Sequence, residues 1–185
     1  MVDEEAWYSH LREQWKPEHV HLLLIAESAP DDRGDPTQRH FFYADHLGGA
    51  DNLFRSVVQA MYGATKVDLK QSGKRPWLER LRSDGFYLID LAPYPVNAGP
   101  SQAARTRVLR ENVASCVKRA HALNPDEVVV VKSDLYPMLV GPLRAAELSV
   151  RQEAVSPSRW GTSVLSSCRR STTHVDETTK ADPET

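Results

Sequence analysis

Three short apolar runs, each closed by polar residues or proline, constrain the fold of this chain more than any other feature. The runs are HLLLIAESAP at 21–30, FYLIDLAPYP at 86–95 and DEVVVVKSD at 126–134. Apolar runs of this length without alternation are typical of strands that are covered on both faces, as in a parallel sheet. A fourth candidate, LSVRQEAVSP at 148–157, alternates in part and fits an edge strand.

Helical patterns fill the intervals between these runs. They are GADNLFRSVVQAMYG at 49–63, RPWLERLRSDG at 75–85 and SQAARTRVLRENVASCVKRAHALNP at 101–125. Asp51 or Asn52 is available to cap the first helix, and Ser101 is available to cap the third. Gly63 and Gly85 are stop signals. Strands that alternate with helices of this length predict an α/β fold with a central parallel sheet of about four strands and helices on both faces.

The size and composition of the chain suit a single domain. The 185 residues are 41% hydrophobic, enough for one substantial core. We predict that the domain covers residues 1–165. The remaining stretch, 166–185, is polar and threonine-rich, so burial cannot offset the entropy of ordering it, and we expect a disordered tail.

Charge and cysteine content restrict the classes of function and compartment. A formal net charge of -2 argues against a generally polycationic nucleic-acid binder but leaves room for a local basic patch. Cys116 and Cys168 lie far apart without a C-x-x-C spacing, so we expect neither a disulfide framework nor a zinc–cysteine site. The N-terminus lacks a signal-peptide pattern, and no apolar run of about 18 residues occurs. We expect a cytoplasmic monomer that does not contact a membrane.

Polar residues follow the apolar runs at the ends where an open parallel sheet binds its ligands. They are Glu27 and Ser28 after the first run, Asp90 within the second, Lys132, Ser133 and Asp134 after the third, and Ser156–Arg159 after the fourth. The loop after Glu27 is long for an α/β connection, and such loops are usually functional or disordered. In its segment HFFY, some of Phe41, Phe42 and Tyr43 should pack on the domain, and one of them could also stack on a planar ligand.

No cofactor or metal motif stands out. Neither G-x-G-x-x-G after a strand nor G-x-x-x-x-G-K-[ST] occurs. His19 and His21 can share one face of a strand, but without a third ligand they fit surface residues better than a metal site. Asp31, Asp32 and Asp35 could gather a divalent cation or could equally form the turns of their loop. We therefore predict that the protein needs no cofactor and no metal.

The order of the motifs resembles the uracil-DNA glycosylase superfamily over roughly residues 20–165. AESAP resembles that superfamily's Gly-Glu-Ala-Pro type of first motif, HFFY is the aromatic segment, FYLIDLAP is the second strand, and VSPSRWG stands in the place of the motif that contains His-Pro-Ser. The resemblance implies a three-layer α/β fold and a hydrolase of DNA repair. Such enzymes flip a modified base, uracil or another, out of single- or double-stranded DNA and hydrolyse its bond to the sugar.

The resemblance also implies roles for particular residues. Glu27 would orient a water molecule and stabilise the sugar cation, and donors near Ser28 and Ser156 would face the leaving base. The residues implied for base binding are Phe41, Phe42 and Asp90, and the cations proposed for DNA binding at the pocket mouth are Arg33, Arg39, Lys132 and Arg159.

Two positions depart from the family pattern. Asp90 stands where many relatives have asparagine. An aspartate can bind the base edge at this position if that edge presents donors, or if Asp90 itself is protonated. No histidine occurs in AVSPSRWGTS, so Arg159 or Ser156 would have to supply the donor to the leaving base. Two alternatives follow. One is a catalytically silent module of the same fold that binds nucleic acid or a nucleobase. The other is a small-molecule hydrolase or metal-dependent phosphodiesterase that uses Glu27, Asp31, Asp32 and Asp90.

Overall fold

The computed structural model describes residues 4–31, 40–96 and 101–151. Its helices are α1 (Glu4–Gln14), α2 (Asn52–Tyr62), α3 (Lys66–Ser72), α4 (Arg75–Ser83), α5 (Gln102–Glu111), α6 (Val113–Leu123) and α7 (Tyr136–Ala145). Its strands are β1 (Leu22–Ser28), β2 (Phe86–Ala92) and β3 (Glu127–Val130). None of these helices has the length and apolar character needed to cross a membrane. The predicted tail at 166–185 and Cys168 lie outside the described residues.

The three strands form one parallel sheet in the order β2-β1-β3, so β1 is the central strand. Leu24 stands in register with Leu88 of β2 and with Val129 of β3. Every residue of β2 and the first five residues of β1 are buried, which means that both faces of the sheet are covered. The prediction of an α/β fold with a parallel sheet built from the three apolar runs is confirmed, although β3 ends at Val130, within the third run.

The segment predicted as a fourth strand meets the sheet at one isolated position. Val150 forms a parallel bridge with Val128 of β3, and the amide of Val128 donates to the carbonyl of Ser149 at 2.8 Å. The rest of the predicted strand, from residue 152, lies outside the described residues. Within the part of the chain that the structure describes, the sheet therefore has three strands and this bridge.

The free edge of β2 is covered by side chains. The Tyr43 hydroxyl donates to the carbonyl of Leu88 at 3.1 Å and accepts from its amide at 2.6 Å. Further along the strand, the Arg119 guanidinium donates to the carbonyls of Asp90 and Leu91 at 2.9 and 2.8 Å. These contacts satisfy buried backbone groups that an unpaired edge would leave without partners. The HFFY segment thus has a structural role through Tyr43.

Removing the Tyr43 hydroxyl should lower the free energy of unfolding by about 1–3 kcal/mol, the usual cost of leaving buried polar groups unpaired. Burial raises the pKa of Tyr43 well above its ordinary value of 10.0, so the phenol keeps the proton that it donates. Urea unfolding of Tyr43→Phe measures the loss. Tyr94→Phe is the matched control, because the Tyr94 hydroxyl lies at the surface, where it accepts from Asn112. Equal effects of the two variants would contradict the role of Tyr43.

The long helical pattern that starts at Ser101 forms two helices, α5 and α6. The Ser101 hydroxyl accepts from the Ala104 amide at 3.2 Å, which confirms the predicted cap. The break falls at Asn112, whose side-chain amide donates to the Val108 carbonyl at 2.9 Å and to the Tyr94 hydroxyl at 2.8 Å. An asparagine side chain that competes for a helix carbonyl interrupts the regular bonding. The apolar periodicity continues across this break, so it predicted a single helix.

The helix α2 confirms its predicted stop but not its predicted cap. Gly63 ends the helix in the left-handed conformation, with φ of 70°. The Asp51 side chain makes no capping hydrogen bond. It accepts from the Gly48 amide at 2.6 Å and pairs with the buried Lys74 ammonium at 3.1 Å. Since Lys74 also donates to the Phe41 carbonyl at 2.8 Å, this ion pair ties the HFFY segment to the domain.

Three of the helices, α1, α3 and α7, lie outside the predicted patterns. In α7, Pro142 interrupts the pattern that would otherwise indicate a helix. The helix α1 matters most for the site, because it carries Tyr8 and Arg12 into the core. The Tyr8 hydroxyl donates to the carbonyl of Pro30 at 2.6 Å, which joins α1 to the segment that follows β1.

Candidate functional site

A carboxylate paired with two cations lies at the carboxyl end of the central strand. Glu27 is the penultimate residue of β1, and its side chain remains 11% exposed. The Arg105 guanidinium of α5 contacts Oε1 of Glu27 through Nε and Nη2. The Lys132 ammonium, from the segment after β3, contacts Oε2. Three elements that are remote in sequence therefore meet at Glu27.

The Glu27 carboxylate is ionised at neutral pH. Partial burial raises its pKa, but the hydrogen bonds and charges of Lys132 and Arg105 together outweigh burial and hold the pKa below the ordinary value of 4.5. A carboxylate of lowered pKa is a weak proton acceptor and a persistent negative charge. Glu27 is therefore better suited to electrostatic stabilisation and to orienting a water molecule than to proton abstraction.

Among the described residues, one acceptor position of Glu27 has no partner. An ionised carboxylate has about four acceptor sites, shared between its two oxygens. Arg105 uses Oε1 through two nitrogens, whereas Lys132 makes a single contact to Oε2. The second site on Oε2 and the residual exposure of the side chain leave room for a bound water molecule.

Replacing Lys132 by methionine should raise the pKa of Glu27, because the variant loses one of the two charges that oppose the effect of burial. In the wild type, ionised Glu27 stabilises the fold above its unfolded-state pKa, and this contribution is lost as the pH falls through the lower folded-state value. The loss of stability between about pH 7 and pH 3 should therefore be smaller in Lys132→Met.

Two measurements check this expectation: an NMR titration of the Glu27 side chain and urea unfolding at both pH values. Lys118→Met is the matched control, since Lys118 is exposed on α6. An unchanged Glu27 pKa in Lys132→Met would show that Arg105 alone holds the carboxylate.

Asp90 is buried and has a different cationic partner. Its Oδ2 accepts from the Arg12 guanidinium of α1 at 2.6 Å, and Arg12 also donates to the Pro93 carbonyl at 3.3 Å. Burial raises the pKa of Asp90, and the charge and hydrogen bond of Arg12 act against that rise. The pair ties α1 to the carboxyl end of β2.

Glu27 and Asp90 project from opposite faces of the sheet. Asp90 stands in register with Ala26, so these two side chains share a face. Ser28 is in register with Ala92, so the pairing on either side of Glu27 is regular. Because successive side chains of a strand alternate between faces, Glu27 points away from the face that holds Asp90. The structure gives each carboxylate its own partners and does not join the two through a shared contact.

Phe41 and Phe42 are core residues. Phe41 is 1% exposed, its ring centroid lies 4.9 Å from that of Tyr8, and the Arg12 guanidinium lies 5.0 Å from its centroid. Phe42 stacks on Phe86 of β2 with a centroid distance of 5.9 Å. Both rings are covered by neighbours, so a base could stack on either of them only after the HFFY segment had moved.

The remaining predicted site residues fall into two groups. Lys132 lies beside Glu27, and Ser28 ends β1 in register with Ala92. Outside the described residues lie Arg33, Arg39, Ser156 and Arg159, together with Asp32 and Asp35 of the loop. The structure thus brings Lys132 to the predicted catalytic carboxylate, and it describes neither the other proposed DNA-binding cations nor the proposed donors to the leaving base.

Sequence reasoning missed two residues that shape the site, Arg105 and Arg12. Both lie in helices that carry several charges, QAARTRVLRE for Arg105 and EEAWYSHLREQ for Arg12. An arginine in such a helix is ordinarily assigned to the solvated face. The signal that could have pointed to Arg12 is Asp90 itself, because a carboxylate inside an apolar strand needs a cationic partner when it is buried.

The expected resemblance to the uracil-DNA glycosylase superfamily was based mainly on the motifs AESAP, HFFY and VSPSRWG. In the structure, AESAP spans the end of the central strand, HFFY is packed into the core, and VSPSRWG lies outside the described residues. Comparisons with protein-family models, with curated proteins and with solved structures found no match to this chain.

Proposed function

We propose that this protein is a DNA-base N-glycosylase of the uracil-DNA glycosylase type, with Glu27 as its catalytic carboxylate. The observation that carries the proposal is a carboxylate of lowered pKa, held between Arg105 and Lys132 at the carboxyl end of the central strand. Open parallel sheets bind their ligands at this end. We also propose the three-layer fold of that superfamily, in which the parallel bridge at Val150 marks a fourth strand.

The proposed reaction is hydrolysis of the bond between base and sugar. The C1′–N bond breaks, its electron pair leaves with the base, and the sugar takes on oxocarbenium character. A water oxygen bonds to C1′, the water loses a proton, and the departing base takes up a proton. The charge of Glu27 stabilises the sugar cation, and its Oε2 orients the water. This chemistry needs a persistent negative charge more than a strong base, which agrees with the lowered pKa of Glu27.

The cations beside Glu27 support DNA binding in this proposal. The Lys132 side chain is 50% exposed and that of Arg105 is 30% exposed, so both can reach a phosphate. When DNA binds, the side chain of Lys132 or Arg105 can turn from Glu27 to a phosphate. The Glu27 carboxylate then loses one of its two compensating charges, and only in the DNA complex. Phosphate contacts make affinity fall with rising salt and carry no base information. We therefore propose local, salt-sensitive binding, to which Arg33, Arg39 and Arg159 also contribute.

A nucleic-acid or nucleobase-binding module without catalysis is the second candidate. The burial of Phe41 and the Arg12–Asp90 ion pair favour it, because residues implied for reading the base are engaged in holding the fold. In the glycosylase proposal, Asp90 is accordingly an anchor for α1, and other groups recognise the base.

A metal-dependent hydrolase is the least favoured candidate, because the carboxylates that would bind the metal are already paired with cations. Glu27 is paired with Arg105 and Lys132, and Asp90 is paired with Arg12. These cations would repel a divalent ion from both carboxylates. A catalytic metal would therefore have to displace several ion pairs before it could bind.

Incubation of the full-length protein with oligonucleotides that each carry one modified base, including uracil, tests the proposal. EDTA is present, and alkali then cleaves any abasic site. We expect excision of at least one base, with DNA binding that weakens steeply as salt rises. Binding without excision of any base would favour the silent module. Activity that appears only when a divalent ion replaces EDTA would favour the metal-dependent hydrolase. The absence of salt-sensitive DNA binding would contradict the glycosylase and a silent module that binds nucleic acid.

A further inference from the structure

A second group of chemically active side chains lies at the opposite, amino end of the sheet. His19 and His21 lie just before β1, and Asp126 directly precedes β3. Nε2 of His19 lies 2.9 Å from Oδ1 of Asp126, and Nδ1 of His21 lies 2.7 Å from Oδ2. One ligand atom from each of the three residues lies within 4.8 Å of the others. The third ligand that the two histidines lack in sequence is thus supplied by a residue 105 positions beyond His21.

We propose that His19, His21 and Asp126 bind one Zn²⁺ or a similar divalent transition-metal ion. Two imidazoles and one carboxylate are a ligand set of the kind that zinc takes in proteins, whereas Mg²⁺ and Ca²⁺ prefer oxygen ligands. The three side chains are about half exposed, so an ion reaches them from solvent and water completes its coordination. This site is separate from Glu27, which lies at the other end of β1.

The backbone that carries the three ligands is tied together by hydrogen bonds. The Asp126 amide donates to the Val20 carbonyl at 3.1 Å, and the His21 amide donates to the Gly85 carbonyl at 2.8 Å. Gly85 has φ of 71°, and a Cβ there would lie 2.3 Å from the His21 ring. The glycine thus allows His21 to lie directly against the chain that enters β2. Ligands on such a frame bind a metal with little backbone reorganisation.

Binding requires only side-chain adjustment and a proton shift. Zinc with bonds of about 2.0–2.2 Å in a tetrahedral site sets its ligand atoms roughly 3.3–3.5 Å apart. The present imidazole–carboxylate contacts are shorter than this, so the side chains must move slightly apart to admit the ion. A neutral imidazole can carry its proton on the other ring nitrogen, which leaves the nitrogen that faces Asp126 free to bind the ion. The bound ion then joins the chain before β1 to the start of β3.

Titration calorimetry of the full-length chain without a polyhistidine tag, with zinc chloride as the probe, tests the proposal. We expect one zinc site per chain that depends on Asp126, and no comparable binding of Mg²⁺. Asp126→Asn keeps the shape of the side chain and removes its charge, so it should weaken zinc binding by more than about tenfold, the least loss typical of disturbing a metal site. His10→Ala is the matched control, because it removes an exposed histidine of α1 and should leave the affinity unchanged.

Two outcomes would overturn the proposal. Zinc binding of equal strength in the wild type and in Asp126→Asn would place the ion elsewhere in the chain. Failure of the folded wild type to bind zinc would leave the cluster as a hydrogen-bonded surface group. Circular dichroism checks the fold of each protein, and His19→Gln, which removes a ligand through a different residue, replaces Asp126→Asn should that variant fail to fold.

Discussion

Replacing Glu27 by glutamine should slow base excision by roughly 100- to 10,000-fold, the range typical of removing a catalytic acid–base or equivalent electrostatic group. Glutamine keeps the size and hydrogen-bonding reach of the side chain and removes the charge that stabilises the sugar cation. DNA affinity should not fall, because Lys132 and Arg105 keep their charges and lose the carboxylate that neutralises them. Single-turnover excision and equilibrium binding on the same oligonucleotide separate the two effects.

Glu111→Gln is the matched control for this variant. The substitution Glu111→Gln removes the same charge at an exposed site on α5. The Glu111 carboxylate there lies 3.9 Å from the Arg107 guanidinium. Its excision rate should match that of the wild type. Full activity in Glu27→Gln would move the role of orienting the water elsewhere, with Asp31 as the next candidate. Thermal unfolding of both variants distinguishes lost chemistry from lost structure.

Replacing Arg12 by methionine should lower the free energy of unfolding by about 3–5 kcal/mol, because it leaves the buried Asp90 carboxylate without its cation. Burial already raises the pKa of Asp90, and the loss of Arg12 should raise it further. A carboxyl group whose folded-state pKa lies above its unfolded value takes up protons on folding, so its contribution to stability is lost as the pH rises through that folded value. The variant should therefore be more severely destabilised at about pH 8 than at pH 5.

A double-mutant cycle separates the ion pair from the packing of Arg12. Asp90→Leu together with Arg12→Met replaces the buried pair with apolar side chains and should recover much of the stability lost in Arg12→Met alone. Arg110→Met, at an exposed position of α5, is the control for removing an arginine and should change stability by about 0.5 kcal/mol or less. Strictly additive effects of the two core substitutions would mean that Arg12 and Asp90 do not stabilise each other.

Local sequence patterns predicted the three strands and the helices α2, α4, α5 and α6. The three apolar runs form β1, β2 and β3. Each run is too short for a helix and does not alternate, which is typical of a strand that is buried on both faces of a parallel sheet. Ser101 caps the start of α5 and Gly63 ends α2 as predicted, because these two caps are formed by the neighbouring residues of each helix. Asp51 failed as a cap because a buried lysine, remote in sequence, took its carboxylate.

The candidate site was predictable only in part, for a related reason. The sequence marked Glu27 and Lys132 because each follows a predicted strand and must lie at the carboxyl end of the sheet. It did not reveal that the two would pair, nor that Arg105 would complete the site from α5. The aromatic rings of HFFY were assigned to a ligand, to the core, or to both. Phe41 packs on Tyr8 of α1, a helix that the sequence patterns did not predict.

The sequence by itself determined the three strands, the outlines of α2, α4, α5 and α6, the parallel direction of the strands and the end of the sheet at which polar residues gather, because these depend on short-range periodicity and on the geometry of strands. The partners of those polar residues came only from the tertiary structure. The pairs Glu27–Lys132 and His21–Asp126 each join residues 105 positions apart. The pair Arg12–Asp90 joins residues 78 positions apart. No local sequence pattern predicts pairs of residues so far apart in the chain, because these pairs form when the helices pack on the sheet and bring remote segments together. The charge, pKa and metal-binding capacity of each group depend on the partners that it acquires in this way.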